Sequence, residues 1–295
     1  MQNFVKNNRN YFDNTKFFTK FVPDLREFME KISKAQVKLV RSLQQKKFRD
    51  ELGLFVAEGE KCVSELSKAF ELVYRIQSTE YRAQTDSLLA TPTEIEQMSG
   101  LRTPQGVIAV FKKKPIGDWS LVIGDLILAL DGVQDPGNLG TIIRTCDWFG
   151  VHDIFCSLDT ADCYNPKVVQ ATMGALARVR VHYVNLPEWL EEYRTQSTEH
   201  RPIYGTLLEG KDMYEVLSGG AGLSASNASG LCSFSEQRER SIIIMGNEGN
   251  GISPEVRQLV THPIRIPSYP KNAETSESLN VSIATAIVLA EFRRD

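Results

Sequence analysis

The sequence is poor in cysteine, and its cysteines follow no pairing pattern. Five are scattered along 295 residues without a CxxC pair, at Cys62, Cys146, Cys156, Cys163 and Cys232. An odd number at irregular spacing argues against a disulfide framework and against a zinc site. Reduced thiols in a cytoplasmic protein are the simplest interpretation.

Long apolar runs and a secretory signal are also missing. No apolar stretch reaches the roughly 18 residues that a membrane-spanning helix requires, so no membrane contact is expected. Residues 1–21 are basic and aromatic, without a continuous apolar segment or a small-residue cleavage site. We therefore expect residues 1–32 to form a frayed leader. The 42% hydrophobic and 24% charged contents are typical of a globular protein with a buried core.

Two kinds of enzyme site lack their usual patterns. No GxGxxG follows the first strand of the second half, and no matching ribose-binding acid is found, which argues against a nucleotide-cofactor oxidoreductase. The four histidines have no neighbours at metal-ligand spacing, so no metal is expected. They are His152, His182, His200 and His262.

Charge is distributed unevenly along the chain. Residues 1–115 contain 20 Lys and Arg against 14 Asp and Glu, a sum of +6. Residues 116–295 contain 14 against 23, a sum of −9, and the two sums give the net charge of −3. A basic front part suggests contact with a polyanion.

Residues 33–112 predict a small α/β domain. Segment 24–50 has helical periodicity, with Asp24 as a candidate cap and Gly53 after its end. A second helix is predicted at 91–98, where Thr91 caps and Glu94 completes a capping box. The predicted strands are 54–59, 71–76 and 106–111. The first helix has a cationic side made of Lys34, Lys38, Arg41, Lys46, Lys47 and Arg49.

Residues 125–295 predict a second α/β domain, after a linker at 113–124 that contains charges, Pro and Gly. Six apolar segments alternate with helices, which predicts a parallel sheet covered on both faces. These segments are 126–133, 153–157, 178–184, 202–208, 241–246 and 262–267. The Ser- and Gly-rich stretch 219–240 predicts a mobile surface loop, with a lid over the pocket as the alternative.

The first motif is LDGVQDPGNLGTIIRT at 130–145. An apolar strand ends at Asp131, and a Pro-Gly turn leads to Asn138, which is expected to cap the next helix. Arg144 lies off the helix stripe of Asn138, but the two side chains could converge because Asn138 stands at the helix mouth. Taken singly, each residue is better explained as an ordinary helix cap or a solvated arginine.

The second and third motifs also follow predicted strands. In IMGNEGNGIS at 244–253, the glycines let the backbone approach a ligand, at the strand end where ligands bind in such sheets. Ser253 is expected to cap a helix that begins at Pro254. In SLNVSIATA at 278–286, Ser278 and Asn280 open a long apolar helix.

In this order, NLGTIIRT, MGNEGNGIS and SLNVSIATA resemble the three motifs of the SpoU/TrmH branch of the SPOUT methyltransferases. The segments KLVRSLQQKKFRDELGLFVAEGEKCVSE and TPQGVIAVF resemble the opening and closing segments of the substrate-binding domain often fused in front. The resemblance covers about residues 33–295, apart from the Ser/Gly loop.

The resemblance implies methylation of a ribose 2′-hydroxyl in RNA by S-adenosylmethionine, with ribosomal RNA favoured over transfer RNA. It implies a C-terminal parallel-sheet SPOUT domain with a deep trefoil knot, preceded by a small RNA-binding α/β domain. It also implies a homodimer with its active sites near the interface. Carried over by motif, the active-site residues are Asn138, Arg144, Glu248, Ser278 and Asn280, and the cofactor-binding residues are Gly246, Asn247, Gly251, Ile266 and Leu279.

Two questions stay open at this stage. The family account makes Arg144 the general base, but an arginine is effectively always protonated. Holding a phosphate or stabilising a developing alkoxide is an equally physical role. The stretch between Pro267 and Ser278 is longer than the family's and lacks its glycine, with Pro270 near that place. This departure keeps a catalytically weakened RNA-binding relative as the alternative function.

Overall fold

The computed structural model describes residues 30–81, 86–114, 126–196, 202–218, 241–270 and 278–294. Most of the predicted leader and linker, the loop at 219–240 and part of the long stretch before Ser278 lie outside these residues. The described chain contains two β-sheets, one in each predicted domain.

The front sheet has four strands in the order β1-β4-β2-β3. Strand β4 runs antiparallel to both of its neighbours, and β2 and β3 are parallel. The predicted small α/β domain is confirmed. Its elements are α1 (Lys34–Ser42), α2 (Lys46–Leu52), β1 (Leu54–Glu58), α3 (Glu60–Leu66), β2 (Leu72–Ser78), β3 (Leu88–Ala90), α4 (Pro92–Met98) and β4 (Val107–Lys112).

The single helix predicted at 24–50 is wrong, because the chain turns between α1 and α2. Helix α1 begins after a capping box made by Ser33 and Gln36. The Arg49 side chain then donates from Nη1 to the carbonyl oxygens of Leu43 and Gln44, at 2.9 Å each. This contact satisfies carbonyls that a continuous helix would use internally, and it stabilises the turn at 43–45.

The second sheet has six parallel strands in the order β10-β8-β9-β5-β6-β7, as the alternation predicted. Its elements are β5 (Ile127–Leu130), α5 (Pro136–Trp148), β6 (Asp153–Ser157), α6 (Pro166–Thr172), β7 (Arg180–Val184), α7 (Leu186–Gln196), β8 (Ile203–Asp212), α8 (Met213–Leu217), β9 (Ile242–Met245), α9 (Pro254–Arg257), β10 (His262–Arg265) and α10 (Val281–Phe292).

Both faces of this sheet are covered. Alternate residues of β5 point to opposite faces, so Leu128 packs in one hydrophobic cluster and Ile127 in another. The first cluster contains apolar residues of α5, α6 and α10, and the second contains residues of α7 and α9. A strand that is buried on both sides needs a continuous apolar sequence, as β5 and β9 have.

The first hydrophobic cluster continues into the front domain. Tyr164, in the loop before α6, lies against Phe55 of β1 and near Phe70, with ring centroids 4.8 and 6.3 Å apart. The guanidinium of Arg49 donates from Nε and Nη2 to Asp162 Oδ2 at 3.0 and 2.7 Å. Arg49 is 2% exposed, so it is not part of the predicted cationic side. The front sheet is therefore docked on the second domain through a buried ion pair and an aromatic cluster.

We expect Asp162→Ala to lower the free energy of unfolding by about 3–5 kcal/mol, because it leaves the Arg49 charge buried without its carboxylate. Glu71→Ala is the control, since Glu71 pairs with Lys112 at the surface and such pairs contribute about 0–1 kcal/mol. Denaturant unfolding of both variants measures the difference. Equal unfolding free energies would contradict a stabilising role for the Arg49–Asp162 pair.

The described cysteines are free and buried. Burial raises the pKa of Cys62 to about 11 and that of Cys163 to about 12. Thiols with such pKa values are poor nucleophiles, so these two residues have a packing role. Within the described ranges, no helix has the length and apolar character needed to cross a membrane.

Candidate active site

The three motifs meet at one edge of the second sheet. Helix α5 follows β5, the loop 246–253 follows β9, and α10 follows the segment after β10. Because the strands are parallel, their carboxyl ends lie along the same edge, where ligands bind in open α/β sheets. Residues far apart in the sequence are thereby brought together.

Asn138 does not cap α5, and that prediction is wrong. The N-cap residue is Asp135, whose Oδ1 accepts a hydrogen bond from the Asn138 backbone N at 2.8 Å. Pro136 occupies the first helical position. Asn138 is therefore inside the first turn, and its side-chain amide is available for other contacts.

The Asn138 amide connects the other two motifs. Its Nδ2 donates to Glu248 Oε1 at 2.9 Å, and its Oδ1 accepts a hydrogen bond from Asn280 Nδ2, also at 2.9 Å. We call these three residues the Asn138–Glu248–Asn280 cluster. Glu248 and Asn280 are exposed and Asn138 is half-buried, so the cluster faces solvent at the sheet edge. A carboxylate oriented by one amide, as Glu248 is by Asn138, can accept a proton or a hydrogen bond from a bound hydroxyl.

The start of α10 fixes the orientation of Asn280. Asn280 is the N-cap residue, and its Oδ1 accepts hydrogen bonds from Ser282 N, Ser282 Oγ and Ile283 N. With the oxygen occupied in this way, Nδ2 points to Asn138. The helix begins at Val281, slightly later than the expected start near Ser278.

Asn247 shapes the glycine-rich loop from within. Its Oδ1 accepts hydrogen bonds from the backbone N of Gly249 and of Asn250, at 2.9 and 3.0 Å. Its Nδ2 donates to the Gly132 carbonyl oxygen at 2.7 Å, which ties the loop to the turn after β5. Asp131 Oδ2 also accepts from Ser253 N at 2.7 Å. These bonds hold the loop so that Glu248 faces α5.

Two glycines of this loop are required by its geometry. Gly246 lies so close to the returning chain that an added Cβ would be 2.6 Å from the Gly251 carbonyl oxygen. Gly251 has a φ of 69°, a left-handed conformation that favours glycine. The chain therefore folds back on itself tightly, with Asn247 and Gly251 exchanging backbone hydrogen bonds at 2.9 Å.

The other predicted site residues outside the glycine-rich loop do not join the cluster. Arg144 is exposed on α5 and makes no hydrogen bond or ion pair with any described residue. Ser278 is exposed just before Asn280. Of the predicted apolar contacts, Ile266 is half-buried beyond β10, and Leu279 is 51% exposed.

Sequence reasoning missed the structural roles of Asp135, Asp131 and Asn247. Asp135 had a usable signal, since a residue directly before a first-turn proline is a natural N-cap. Asp131 and Asn247 had none, because their partners lie more than a hundred residues away along the chain. Within the described part of the chain, no group of three or more His, Cys, Asp or Glu could hold a metal ion.

The fold is an α/β fold with a glycine-rich loop at the sheet edge where ligands bind in such folds. Residues 125–290 match the SpoU rRNA Methylase family, and residues 34–109 match the MRM3-like substrate binding domain. The first match covers more than half of the chain. The chain therefore belongs to the SpoU rRNA Methylase family and is an RNA methyltransferase.

Similar proteins extend along nearly the whole chain. The 23S rRNA (guanosine(2553)-2′-O)-methyltransferase RlmP of Bacillus subtilis is 28% identical over 272 residues, which cover 90% of this chain and 98% of that protein. A TrmH-family structure from Porphyromonas gingivalis is 36% identical, with a TM-score of 0.72, over 89% of this chain and 98% of that one. An AdoMet-bound rRNA methyltransferase from Sinorhizobium meliloti is 28% identical, with a TM-score of 0.70, over 90% of this chain and 96% of that one.

Proposed function

We propose that this protein transfers the methyl group of S-adenosylmethionine to a ribose 2′-hydroxyl of ribosomal RNA. The observation that carries the proposal is the Asn138–Glu248–Asn280 cluster, in which all three motifs meet beside the glycine-rich loop. The similarity to a named 23S rRNA 2′-O-methyltransferase over nearly its full length supports this acceptor. Transfer RNA is the second choice, and a catalytically weakened relative is not favoured.

The loop at 246–251 suits the proposed cofactor. Gly246 and Gly251 have no side chains, so a ligand could contact the backbone groups of this tight turn directly. Ile266 and Leu279 offer apolar surface at the same edge for an adenine ring. When bound, S-adenosylmethionine supplies an electrophilic methyl group with a neutral leaving group. The structural neighbour with bound AdoMet supports this assignment.

The residues of the cluster would align the ribose hydroxyl and help its proton leave. Glu248 Oε1 accepts a hydrogen bond from Asn138. No described residue bonds to Glu248 Oε2, so this oxygen is available for the ribose 2′-hydroxyl. Asn280 fixes Asn138 and thereby the carboxylate. Ser278 lies close enough in the chain to add a hydroxyl group at the site.

Arg144 would hold an RNA phosphate and stabilise the developing alkoxide. Its guanidinium has no partner among the described residues, so it is available to bind a phosphate with two parallel hydrogen bonds. It stays protonated at physiological pH and therefore stabilises negative charge more readily than it accepts a proton.

We also propose the division of the chain into a leader at 1–32, an RNA-binding domain at 33–112, a linker at 113–124 and a methyltransferase domain at 125–295. The two family matches support these boundaries.

Strand β10 lies at one edge of the sheet, and the chain after it returns so that Asn280, at the start of α10, contacts Asn138 of α5. This return suits the trefoil knot that the resemblance of the motifs implies. A ribosomal RNA substrate and free thiols suit a cytoplasmic enzyme.

A homodimer is proposed from the outer face of α5 and α10. The polar residues of α10 are Ser282, Thr285 and Glu291, and all three are buried. Its solvent side is consequently apolar, with Ile283 52% exposed. The two helices lie side by side, and Trp148 of α5 is 85% exposed. An exposed apolar surface of this kind is typical of an interface, and a second copy of the chain would cover it.

We expect Ile283→Glu to separate the dimer, because the new carboxylate would be buried in the interface without a partner. Light scattering should give the 33.2 kDa mass of one chain for the variant and twice that mass for the unaltered protein. Leu208→Glu is the matched control, since Leu208 is an exposed leucine of β8 and belongs to neither helix. A monomeric unaltered protein would contradict the proposed dimer.

Isotope-labelled S-adenosylmethionine tests the proposed reaction. The protein is incubated separately with unmodified ribosomal and transfer RNA, and the RNA is digested to nucleosides for mass spectrometry. We expect labelled 2′-O-methylnucleoside from the ribosomal RNA. Label on a base would overturn the ribose as acceptor, and label only in transfer RNA would overturn the substrate.

A further inference from the structure

The front domain contains a polar cleft that the proposed catalytic reaction does not use. It has a volume of about 450 Å³ and lies where the turn at 43–45 meets the end of α4. Its lining residues carry guanidinium, amide, carboxylate and hydroxyl groups. They are Arg41, Gln44, Gln45, Glu96, Gln97 and Ser99.

Several of these side chains have no partner among the described residues. Arg41, Gln45, Glu96 and Gln97 are exposed, and their side chains make no hydrogen bond or ion pair within the described ranges. Gln44 is fixed, since its Nε2 donates to the Met98 carbonyl oxygen at 3.2 Å. The cleft therefore has a fixed wall and several side chains with unused donors and acceptors.

A cationic stripe leads along α1 into this cleft. Lys34, Lys38 and Arg41 are spaced at i, i+4 and i+7, which places them on one helix face, and all three are exposed. From Lys34 to Arg41 the stripe extends about 10 Å along the helix axis, at 1.5 Å per residue. Phosphates of a single RNA strand can follow such a stripe, because backbone contacts come mainly from Lys and Arg.

The geometry points to a subsite for an unpaired guanine of the RNA substrate, with its flanking phosphates on the α1 stripe. Guanine presents adjacent N–H donors that a carboxylate such as Glu96 accepts, and its O6 and N7 acceptors suit Arg41. The glutamine amides supply further donors and acceptors. Sequence-specific RNA recognition uses unpaired bases in this way. The inference rests on the proposed RNA methyltransferase function.

The Arg49–Asp162 pair gives this subsite a fixed position relative to the methyl-transfer site. Arg49 binds the carbonyls of the turn beside the cleft and, with the same guanidinium, Asp162 of the second domain. A nucleotide bound in the cleft would therefore stand at a set distance from the acceptor ribose, and the cleft would help to select the RNA.

Fluorescence anisotropy with two short labelled single-stranded RNAs tests the subsite. One RNA is oligouridine, and the other contains one guanine in the same uridine context. We expect the full protein to bind the guanine-containing RNA about fivefold more tightly or better. Glu96→Ala should reduce this ratio to near one, whereas the control Glu71→Ala should keep it.

The double substitution Lys34→Ala and Lys38→Ala should weaken binding of both RNAs equally. The slope of the logarithm of the binding constant against the logarithm of the salt concentration should become about 1.4 less steep, because each phosphate that a lysine no longer neutralises removes about 0.7. Lys112→Ala, which removes a lysine already paired with Glu71, should change neither quantity. Equal binding of the two RNAs by the unaltered protein would overturn the guanine subsite, as would an unchanged ratio in Glu96→Ala. Methylation of ribosomal RNA by the unaltered protein separates these results from a failure of the proposed function.

Discussion

Replacing Arg144 with alanine should reduce the rate of methyl transfer by roughly 10³-fold, with little change in S-adenosylmethionine affinity. The side chain is exposed on α5 and has no described partner, so its removal should not disturb the fold. The expected loss comes from the missing charge at the phosphate and the developing alkoxide. Single-turnover kinetics with saturating cofactor measures it.

Two further variants test whether the loss of rate in Arg144→Ala depends on the guanidinium group and on its position. Arg144→Lys keeps a point charge but loses the paired hydrogen bonds, so it should recover only part of the rate. Arg257→Ala removes another exposed arginine, which pairs with Glu209, and should leave the rate unchanged. Normal turnover in Arg144→Ala would remove this residue from the proposed mechanism.

Replacing Gly246 with alanine should weaken cofactor binding by roughly 100-fold, equivalent to about 2.7 kcal/mol. The added methyl group would meet backbone atoms of Gly251 and Ile252, which cannot rotate away as a side chain can. The loop would have to open, and both the Asn247–Gly251 backbone bonds and the position of Glu248 would change. Calorimetric titration with S-adenosylmethionine measures the affinity.

Gly249→Ala is the matched control for this prediction. A Cβ at Gly249 would stand 3.6 Å from Asn247 Oδ1, an ordinary van der Waals contact, in the same loop. We expect this variant to bind the cofactor nearly as well as the unaltered protein. Thermal unfolding of both variants separates a local change in the loop from loss of the fold. Unaltered affinity in a folded Gly246→Ala protein would contradict the proposed cofactor loop.

The sheet of the second domain was predictable because burial on both faces imposes a simple sequence pattern. Strands such as β9 are continuous apolar runs, and each of the six predicted segments overlaps an observed strand, although β8 continues to Asp212, beyond the predicted end at 208. In the front domain, the prediction missed α3 and β3, which are only 7 and 3 residues long. Short elements carry little periodicity, and their position depends on the neighbouring strands.

The site was predictable as a set of motifs but not as a geometry. Asn138 has the sequence context of a helix cap, and only the nearby Asp135 explains why its amide instead contacts Glu248 and Asn280. Arg49 shows the same limit in the front domain. A helical pattern places it with exposed lysines, whereas a partner 113 residues away in the sequence buries it. Long-range partners of this kind leave no local sequence signal.

The proposed function depends most on the ribose hydroxyl as methyl acceptor. The direct measurement compares two synthetic copies of the mapped RNA target, one natural and one with a 2′-deoxyribose at the modified nucleotide only. Both are incubated with labelled S-adenosylmethionine and the unaltered protein. We predict methyl transfer to the natural RNA and none to the deoxy nucleotide, with equal binding of both. Equal labelling of the two RNAs would contradict the proposed ribose methylation.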